Sequence, residues 1–370
     1  MKFNRLFLFA LLATLTLALS ACGAPPATNW PGISTDGELI YLSSNTHVYI
    51  VQAQNGTEAT ANISGKITPL RFPIQAEPAK MSFYAPAALT NDGLMVIGSA
   101  ASGGHALYAV DTTTGNIRWS FETEKPWLGG ALILNNAIFA PSGNGTLYSF
   151  DMSGSKRWEK KLSEHALWTT PVSDGKYIYL ATLDHNLYCL DPNFGNIVWS
   201  KELDNSMIGS PAVVDGTLYV GTLYGNLYSI DASNGNINWV KPLEGSIWGT
   251  PGVSENTVYI GTVLGKAGKF YALDAATGAE KWSWDEEGSI IAGPLIVNEQ
   301  VIYVTEQGRV QARDTSSGSP KWQDSFEKNK IFTTPLLVQD TIVIAPMGSQ
   351  FLMVAYDLNG AKKWTFTPAQ

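Results

Sequence analysis

Two cysteines, four histidines and scattered carboxylates are the residues that could do chemistry in this 370-residue chain. A thiolate could act as a nucleophile, neighbouring imidazoles could hold a metal, and paired carboxylates could move protons. The spacing supports none of these. His47, His105, His165 and His185 never fall at metal-ligand intervals, and His185 lies in the turn Asp184-His185-Asn186, where a polar side chain needs no special role. Glu286-Glu287 falls in a link between strands, where a solvated charge is ordinary. There is no Gly-x-Ser-x-Gly elbow, no phosphate-cradling loop and no Gly-x-Gly-x-x-Gly run. Cys189 stands in the strand-like run Leu187-Tyr188-Cys189-Leu190 and is expected to be a small buried apolar residue. No catalytic residue and no metal ligand is therefore assigned, and the chain is expected not to be an enzyme.

The other cysteine has a different setting. Lys2 and Arg5 precede an apolar stretch, Leu6 to Leu19, that is too short to span a bilayer. It ends in Leu19-Ser20-Ala21-Cys22, which resembles the bacterial lipobox, where small residues admit the signal peptidase and the cysteine sulfur receives a diacylglycerol. Residues 1–21 read as a lipoprotein signal peptide, Cys22 as the lipidated residue and 22–29 as a tether. More than one acyl chain on Cys22 suffices for stable anchoring. The protein is then expected outside the cytoplasmic membrane, on the periplasmic face of an outer membrane if the organism has one. With Cys22 committed to lipid, Cys189 has no disulfide partner.

Composition narrows the class. Apolar residues make up 45% and charged residues 15%, with 35 Gly, 19 Pro and 12 Trp, which excludes a disordered chain or a coiled coil and points to short strands joined by tight turns. Loss of Lys2 and Arg5 with the signal moves the formal net charge from -8 to -10. So acidic a surface repels phosphate backbones, so nucleic acid is not expected as a partner.

One phrase recurs along the chain: Leu-Tyr-x-apolar-Asp, then Gly, then Trp. It places Asp111 with Trp119, Asp191 with Trp199, Asp231 with Trp239, Asp274 with Trp282 and Asp314 with Trp322. Two copies are a residue shorter in the turn, Asp151 with Trp158 and Asp357 with Trp364. From Asp111 the Asp spacings are 40, 40, 40, 43, 40 and 43 residues, so seven of the twelve tryptophans are in register. A degraded eighth copy precedes them, with Gln52 in the Asp position and Leu70 in that of Trp. A second landmark, small residues before a mostly Pro-led apolar strand, occurs at Pro31, Pro86, Ala131, Pro171, Pro211, Pro251, Pro294 and Pro335, again eight times.

Each unit reads as four strands, clearest over Pro211 to Val214, Leu218 to Gly221, Leu227 to Ile230 and Ile237 to Val240, joined by Gly- and Asn-bearing turns. Four strands in about 40 residues match a propeller blade. The predicted fold is all-β: a single eight-bladed β-propeller of four-stranded antiparallel blades over residues 30–370. The Asp is expected to accept hydrogen bonds from the following turn, the Gly to supply a left-handed backbone, and the Trp to lay a large ring against its neighbours. Residues repeated in every blade build blades, so these are structural expectations rather than a site.

The repeat resembles the tryptophan-docking repeat of the pyrroloquinoline quinone (PQQ) propeller superfamily, over nearly all of Trp30 to Gln370. That superfamily includes quinoprotein alcohol dehydrogenases and cofactor-free BamB-like lipoproteins of outer-membrane β-barrel assembly, and chain length, lipobox and blade count resemble the latter. For the dehydrogenases the resemblance implies adjacent cysteines closed over the cofactor and a calcium held by acidic and amide groups. This chain has no adjacent cysteines and no dense acidic or amide cluster, and it is much shorter. No cofactor, PQQ included, is therefore expected.

The function expected is a lipid-anchored scaffold for an envelope protein partner, such as a β-barrel assembly component. The alternatives are a quinone- or small-ligand-binding propeller and a surface lipoprotein for ligand capture. Three residues before each Pro-led strand stand Phe83, Leu128, Trp168, Ile208, Trp248, Ile291 and Phe332, with Trp127 adjacent. These residues are either blade packing or, at Trp127, Trp168, Trp248 and Phe332, a rim for a partner. The irregular segment Ala53 to Tyr84 is either a functional insertion or a decayed first blade. Blade closure is also open: eight complete blades, or one shared by both chain ends.

Overall fold

The computed structural model describes residues 30–63, 65–74, 81–100, 105–326, 329–348 and 351–368. Among them there is no helix, and the strands form eight four-stranded antiparallel sheets plus one two-stranded hairpin. Blade 5 shows the plan: Ala212–Val214, Thr217–Gly221, Asn226–Asp231 and Ile237–Pro242 run from the innermost strand to the outermost. The two middle strands are almost wholly buried, because both faces of each blade are covered by neighbours. Eight separate clusters of buried side chains lie between and within blades, in place of one central core.

The turns follow from residue type. In blades 3, 5, 6 and 7 the link between first and second strands puts two residues in succession at positive φ, as at Asn135 (49°) and Asn136 (58°), or Asp215 (47°) and Gly216 (74°). That geometry matches the right-handed twist of the paired strands, and Asn, Asp and Gly tolerate it best. These turns lie on the same side of the disc as the Asp turns between third and outer strands. In blade 5 the Ala232 amide donates to the Gly216 carbonyl, joining the two turns at 2.9 Å.

The ring closes without sharing a strand. Blade 1 holds Gly32–Thr35, Leu39–Ser44, His47–Gln52 and Arg71–Phe72, and blade 8 holds Leu336–Val338, Thr341–Ile344, Met353–Tyr356 and Lys362–Phe366. They join through one apolar cluster that includes Ile40 and Leu42 from blade 1 with Val343 and Phe366 from blade 8. Trp364 Nε1 donates to the Ala53 carbonyl at 2.9 Å, and Thr333 Oγ1 to the Pro31 carbonyl at 2.8 Å.

The described part of the irregular segment keeps the worn first blade's outer edge and adds a hairpin to it. Gln52 closes its turn as the repeat Asp residues do: its amide donates to Thr57 O and its carbonyl accepts from Gly56 N. The outer strand then begins with the bridge of Glu58 to Val51, is interrupted by the hairpin Thr60–Ile63 and Lys66–Pro69, and resumes at Arg71–Phe72. Tyr49 pairs with Arg71, which sets Leu70 opposite Ile50, the position that Trp takes in the other blades. The segment is therefore a genuine blade 1 edge carrying an inserted hairpin. Arg71 and Glu58 form an ion pair at 2.7 Å across the base of that hairpin.

Candidate functional site

The repeated Asp, Gly and Trp residues form a girdle that ties blades 2 to 8 each to the following blade. Trp119, Trp158, Trp199, Trp239 and Trp282 each donate from Nε1 to the carbonyl just after the Asp of the following blade, at 3.0 to 3.1 Å. Trp364 makes the same bond to Ala53, the residue after Gln52. Trp322 reaches its counterpart through a relay: its Nε1 donates to Gln300 Oε1 at 3.0 Å, and Gln300 Nε2 donates to the Leu358 carbonyl at 2.7 Å.

The glycines serve two needs at once. Gly235 has φ +75°, and a Cβ there would stand 2.8 Å from Trp199 Cε3. Gly154, Gly195, Gly278, Gly318, Gly360 and Gly56 face the preceding blade's Trp in the same way. Gly115 follows the blade that lacks a Trp, and Ile74 occupies the vacated place.

The Asp carboxylates act within their own turns. Asp111 Oδ1 accepts from Thr113 Oγ1 at 2.6 Å and from the amides of Thr113 and Thr114 at 3.0 Å. Asp231 accepts likewise from Ser233. Hydrogen bonds from the Ser or Thr hydroxyl two or three residues on, then from other turn donors, hold Asp111, Asp151, Asp231, Asp274 and Asp314 below the usual carboxylate range. A depressed folded pKa stabilises above the unfolded value and loses that effect as pH falls. The part of the stability that these carboxylates supply should thus be full above about pH 5 and decline through about pH 4 to 2. Urea denaturation across that range checks this, with Asp231→Asn expected to shallow the decline.

Aligning the blades on strand register, rather than on the prolines, resolves the aromatic positions into two rows. One row is buried: Phe83, Trp127, Leu167, Met207, Ile247, Ile290 and Ile331. Trp127 is 1% exposed and sits in an apolar cluster with Tyr148 and Phe150, so it packs blades together and presents no rim. Phe83 is likewise buried, one residue ahead of the partly exposed row. The partly exposed row is Trp30, Tyr84, Leu128, Trp168, Ile208, Trp248, Ile291 and Phe332, one per blade, immediately before the innermost strands. The sequence landmark missed Trp30 and Tyr84 because Pro31 and Pro86 stand two residues and one residue ahead of the register position that Pro211 takes in blade 5.

This second row forms an apolar collar around the mouth of the axis, on the side opposite the Asp turns. Trp30 and Phe332 stack at 5.2 Å across the junction of blades 1 and 8. Two residues further along, small side chains bond blade to blade: Gly130 N donates to Thr170 Oγ1, Thr170 N to Ser210 Oγ and Gly293 N to Thr334 Oγ1. Glycine is needed here because the chains approach closely; a Cβ on Gly209 would meet the Gly249 carbonyl oxygen at 2.6 Å.

Reactive groups are few. Cys189 is fully buried, and burial pushes its thiol up to about 12, which keeps it un-ionised. His47, near the hairpin base, is held below its ordinary value by burial and then by Arg71. Among the described residues no three of His, Cys, Asp and Glu stand close enough to share a metal ion. Cys22 lies outside the described residues.

Tryptophan-docked blades in a ring of eight define the class: a PQQ-type β-propeller. The family model described as outer membrane protein assembly factor BamB matches residues 75–167, 143–245 and 241–367, and the chain belongs to that family. Among solved structures it is similar to BamB from Moraxella catarrhalis, with TM-score 0.67 and 18% identity, covering 89% of this chain and 91% of that one. It is also similar to a quinohemoprotein alcohol dehydrogenase from Pseudomonas putida, with TM-score 0.67 and 14% identity, covering 92% of this chain and 75% of that one. Likeness at such identities shows the fold. A stretch of 119 residues is 27% identical to tetrathionate hydrolase of Acidithiobacillus ferrooxidans, covering 30% of this chain and 24% of that protein's length.

Proposed function

We propose that this protein is a lipid-anchored, non-enzymatic scaffold of the bacterial cell envelope that holds a partner at its perimeter and serves outer-membrane β-barrel assembly. Cys22 carries the lipid in this reading, on the periplasmic face of the outer membrane where one exists. Membership of the BamB family supports the role. The scaffold reading invokes no cofactor.

The observation that carries the reading is the uneven protection of the blade edges. An outer strand leaves one side of its backbone unpaired, and charged side chains are the usual guard against chance pairing. Blade 3 ends in Lys156-Arg157-Trp158-Glu159-Lys160-Lys161, and blades 6, 7 and 8 place a lysine immediately before the Trp. Blades 4 and 5 carry no charge over Ile197-Val198-Trp199-Ser200 and Ile237-Asn238-Trp239-Val240, and their first charges, Lys201 with Glu202 and Lys241, come only at the far end of the strand. Val198 is 45% exposed and Val240 42% exposed, and Phe194 in the adjoining turn is 72% exposed. An edge without charge over its first four residues and rich in β-branched side chains suits an added strand: backbone bonds give affinity and alternate side chains give selectivity.

Replacing Ile237 and Val240 together by lysine should reduce partner recovery in crosslinked pull-downs from native membranes by about tenfold, which corresponds to about 1.4 kcal/mol. Gln323→Lys, on the already charged edge of blade 7, should leave recovery unchanged. Equal recovery from all three proteins would refute pairing at this edge.

A further inference from the structure

The Asp turn of blade 4 departs from the repeat in three ways. In blades 2, 6 and 7 the residue seven after the repeat Asp is a cation that closes on the carboxylate: Arg118 on Asp111 at 2.7 Å, Lys281 on Asp274 at 3.8 Å and Lys321 on Asp314 at 3.4 Å. Blade 4 has Val198 there. Its turn also lacks a hydroxyl, because Pro192-Asn193-Phe194 stand where Thr113, Ser233, Thr277 and Ser316 bond the carboxylates of other blades. The third turn residue is polar elsewhere, as at Thr114, Asn234 and Ser317, but in blade 4 it is the exposed Phe194.

Asp191 is therefore the least satisfied of the repeat carboxylates. Its Oδ1 accepts from the Asn193 amide at 2.6 Å, and no ion pair reaches it among the described residues. Lys176, on the adjoining link between first and second strands, lies over the Tyr177 ring at 4.6 Å. Blade 5 also lacks the cation, with Asn238 in its place, but there Asn234 Nδ2 donates to Asp231 Oδ2 at 3.1 Å and fills the gap. The strand edge beside Asp191 is open as well. Leu203 N donates to the His185 carbonyl at 2.8 Å, and bonded and non-bonded pairs alternate from there, so Ser200 and Glu202, opposite Tyr188 and Asn186, turn both backbone groups outward.

From these we infer that blade 4 receives a partner strand bearing an arginine or lysine, whose cation takes the place on Asp191 that Arg118 takes on Asp111. The inference rests on strand addition at the perimeter and adds the chemistry of the strand that is selected. The exposed Val198 and Ile197 cover the aliphatic stem of such a side chain, and Phe194, three residues after Asp191 in the same turn, offers an aromatic face to its charge. Arginine suits the site best, since its planar fork bonds a carboxylate and stacks on a ring. The other blades fill this place from within the chain, so a partner with a basic side chain gains an ion pair on blade 4 that it cannot gain on blades 2, 6 and 7.

Two dye-labelled peptides of alternating threonine and valine, one with a central arginine and one with glutamine in its place, test this by fluorescence anisotropy with the full chain in detergent. The arginine peptide should bind about fivefold tighter, the combined effect of an exposed ion pair and a cation–ring contact. Asp191→Asn should abolish that preference, and so should Val198→Arg, which supplies the cation from within. Asp215→Asn, an acid on the same side of the disc, should leave it intact. Ser200→Pro removes an outward N–H without touching the ladder inside the blade and should weaken both peptides severalfold. Equal binding of the two peptides, a preference that survives Asp191→Asn, or one lost equally in Asp215→Asn overturns the inference, while loss of both peptides with Ser200→Pro would still leave strand addition standing. Binding of neither peptide, or no effect of Ser200→Pro, refutes strand addition at blade 4 and the inference with it.

Discussion

Trp199→Ala is expected to destabilise the propeller by about 3 kcal/mol, the lower end of the range for removing a large ring from a core, because the indole is half-buried. The indole bonds the Ala232 carbonyl at 3.0 Å and lies 6.0 Å from the Tyr179 ring, centroid to centroid. Its loss opens a void between blades 4 and 5, beside the cluster of Tyr179, Met207 and Ile230. Gly235→Ala should also be destabilising, for two separable reasons. A left-handed backbone costs a non-Gly residue about 1–2 kcal/mol, and overpacking against the indole adds about 1–3 kcal/mol. Removing the indole removes the second term. The double variant should therefore be more stable than the sum of the single variants implies, by about 1–3 kcal/mol. Urea denaturation of the four proteins checks this, and strict additivity would show that the glycine's closeness to the ring does not matter.

Arg313→Met should destabilise by about 3–5 kcal/mol, because it strands a buried carboxylate. Arg313 occupies the position before a repeat Asp, where Val110, Leu190 and Ile230 stand elsewhere. Its side chain and that of Glu286 are each 3% exposed. Arg313 Nε donates to Tyr303 Oη at 2.7 Å, Tyr303 Oη donates to Glu286 Oε1 at 2.6 Å, and Arg313 Nη1 donates to the Gly318 carbonyl at 3.1 Å. The guanidinium also lies 3.7 Å from the Trp284 ring centroid. Burial, then the Glu286 charge, holds the Tyr303 hydroxyl well above its ordinary range, so it stays a donor at any working pH. Replacing Glu286 and Arg313 together by leucine removes both charges and should recover most of the loss. Thermal and urea denaturation of single and double variants separate the two outcomes; a double variant as unstable as Arg313→Met would mean that the shape of the cluster matters more than its charge.

The blade plan was legible because three residue types with different physical duties recur at a fixed spacing. Gln52 and Leu70 were readable as the worn eighth copy, since the turn around Gly56 keeps its form without the carboxylate. The collar was only partly legible: proline marked where an inner strand begins, but strand register, not proline, decides which residues are equivalent. That placed Phe83 in the wrong row and hid Trp30. The buried Glu286–Arg313–Tyr303 cluster could not be read from sequence, because Glu286-Glu287 sits where solvated acids are common and its partner comes from the next blade. Closure was open for the same reason, since either scheme satisfies the repeat. The inserted hairpin at Thr60 hid itself by separating two halves of one strand.

The scaffold role is tested most directly by a photo-crosslinking residue at Asn238, on the outer strand of blade 5, in the full chain within its native membrane, with mass spectrometry of the adduct. The account predicts a crosslink to a β-barrel assembly protein, lost when Ile237 and Val240 become lysine. Adducts only to dehydrogenase or transport proteins, or no adduct at 238 while the protein is present and folded, would contradict it.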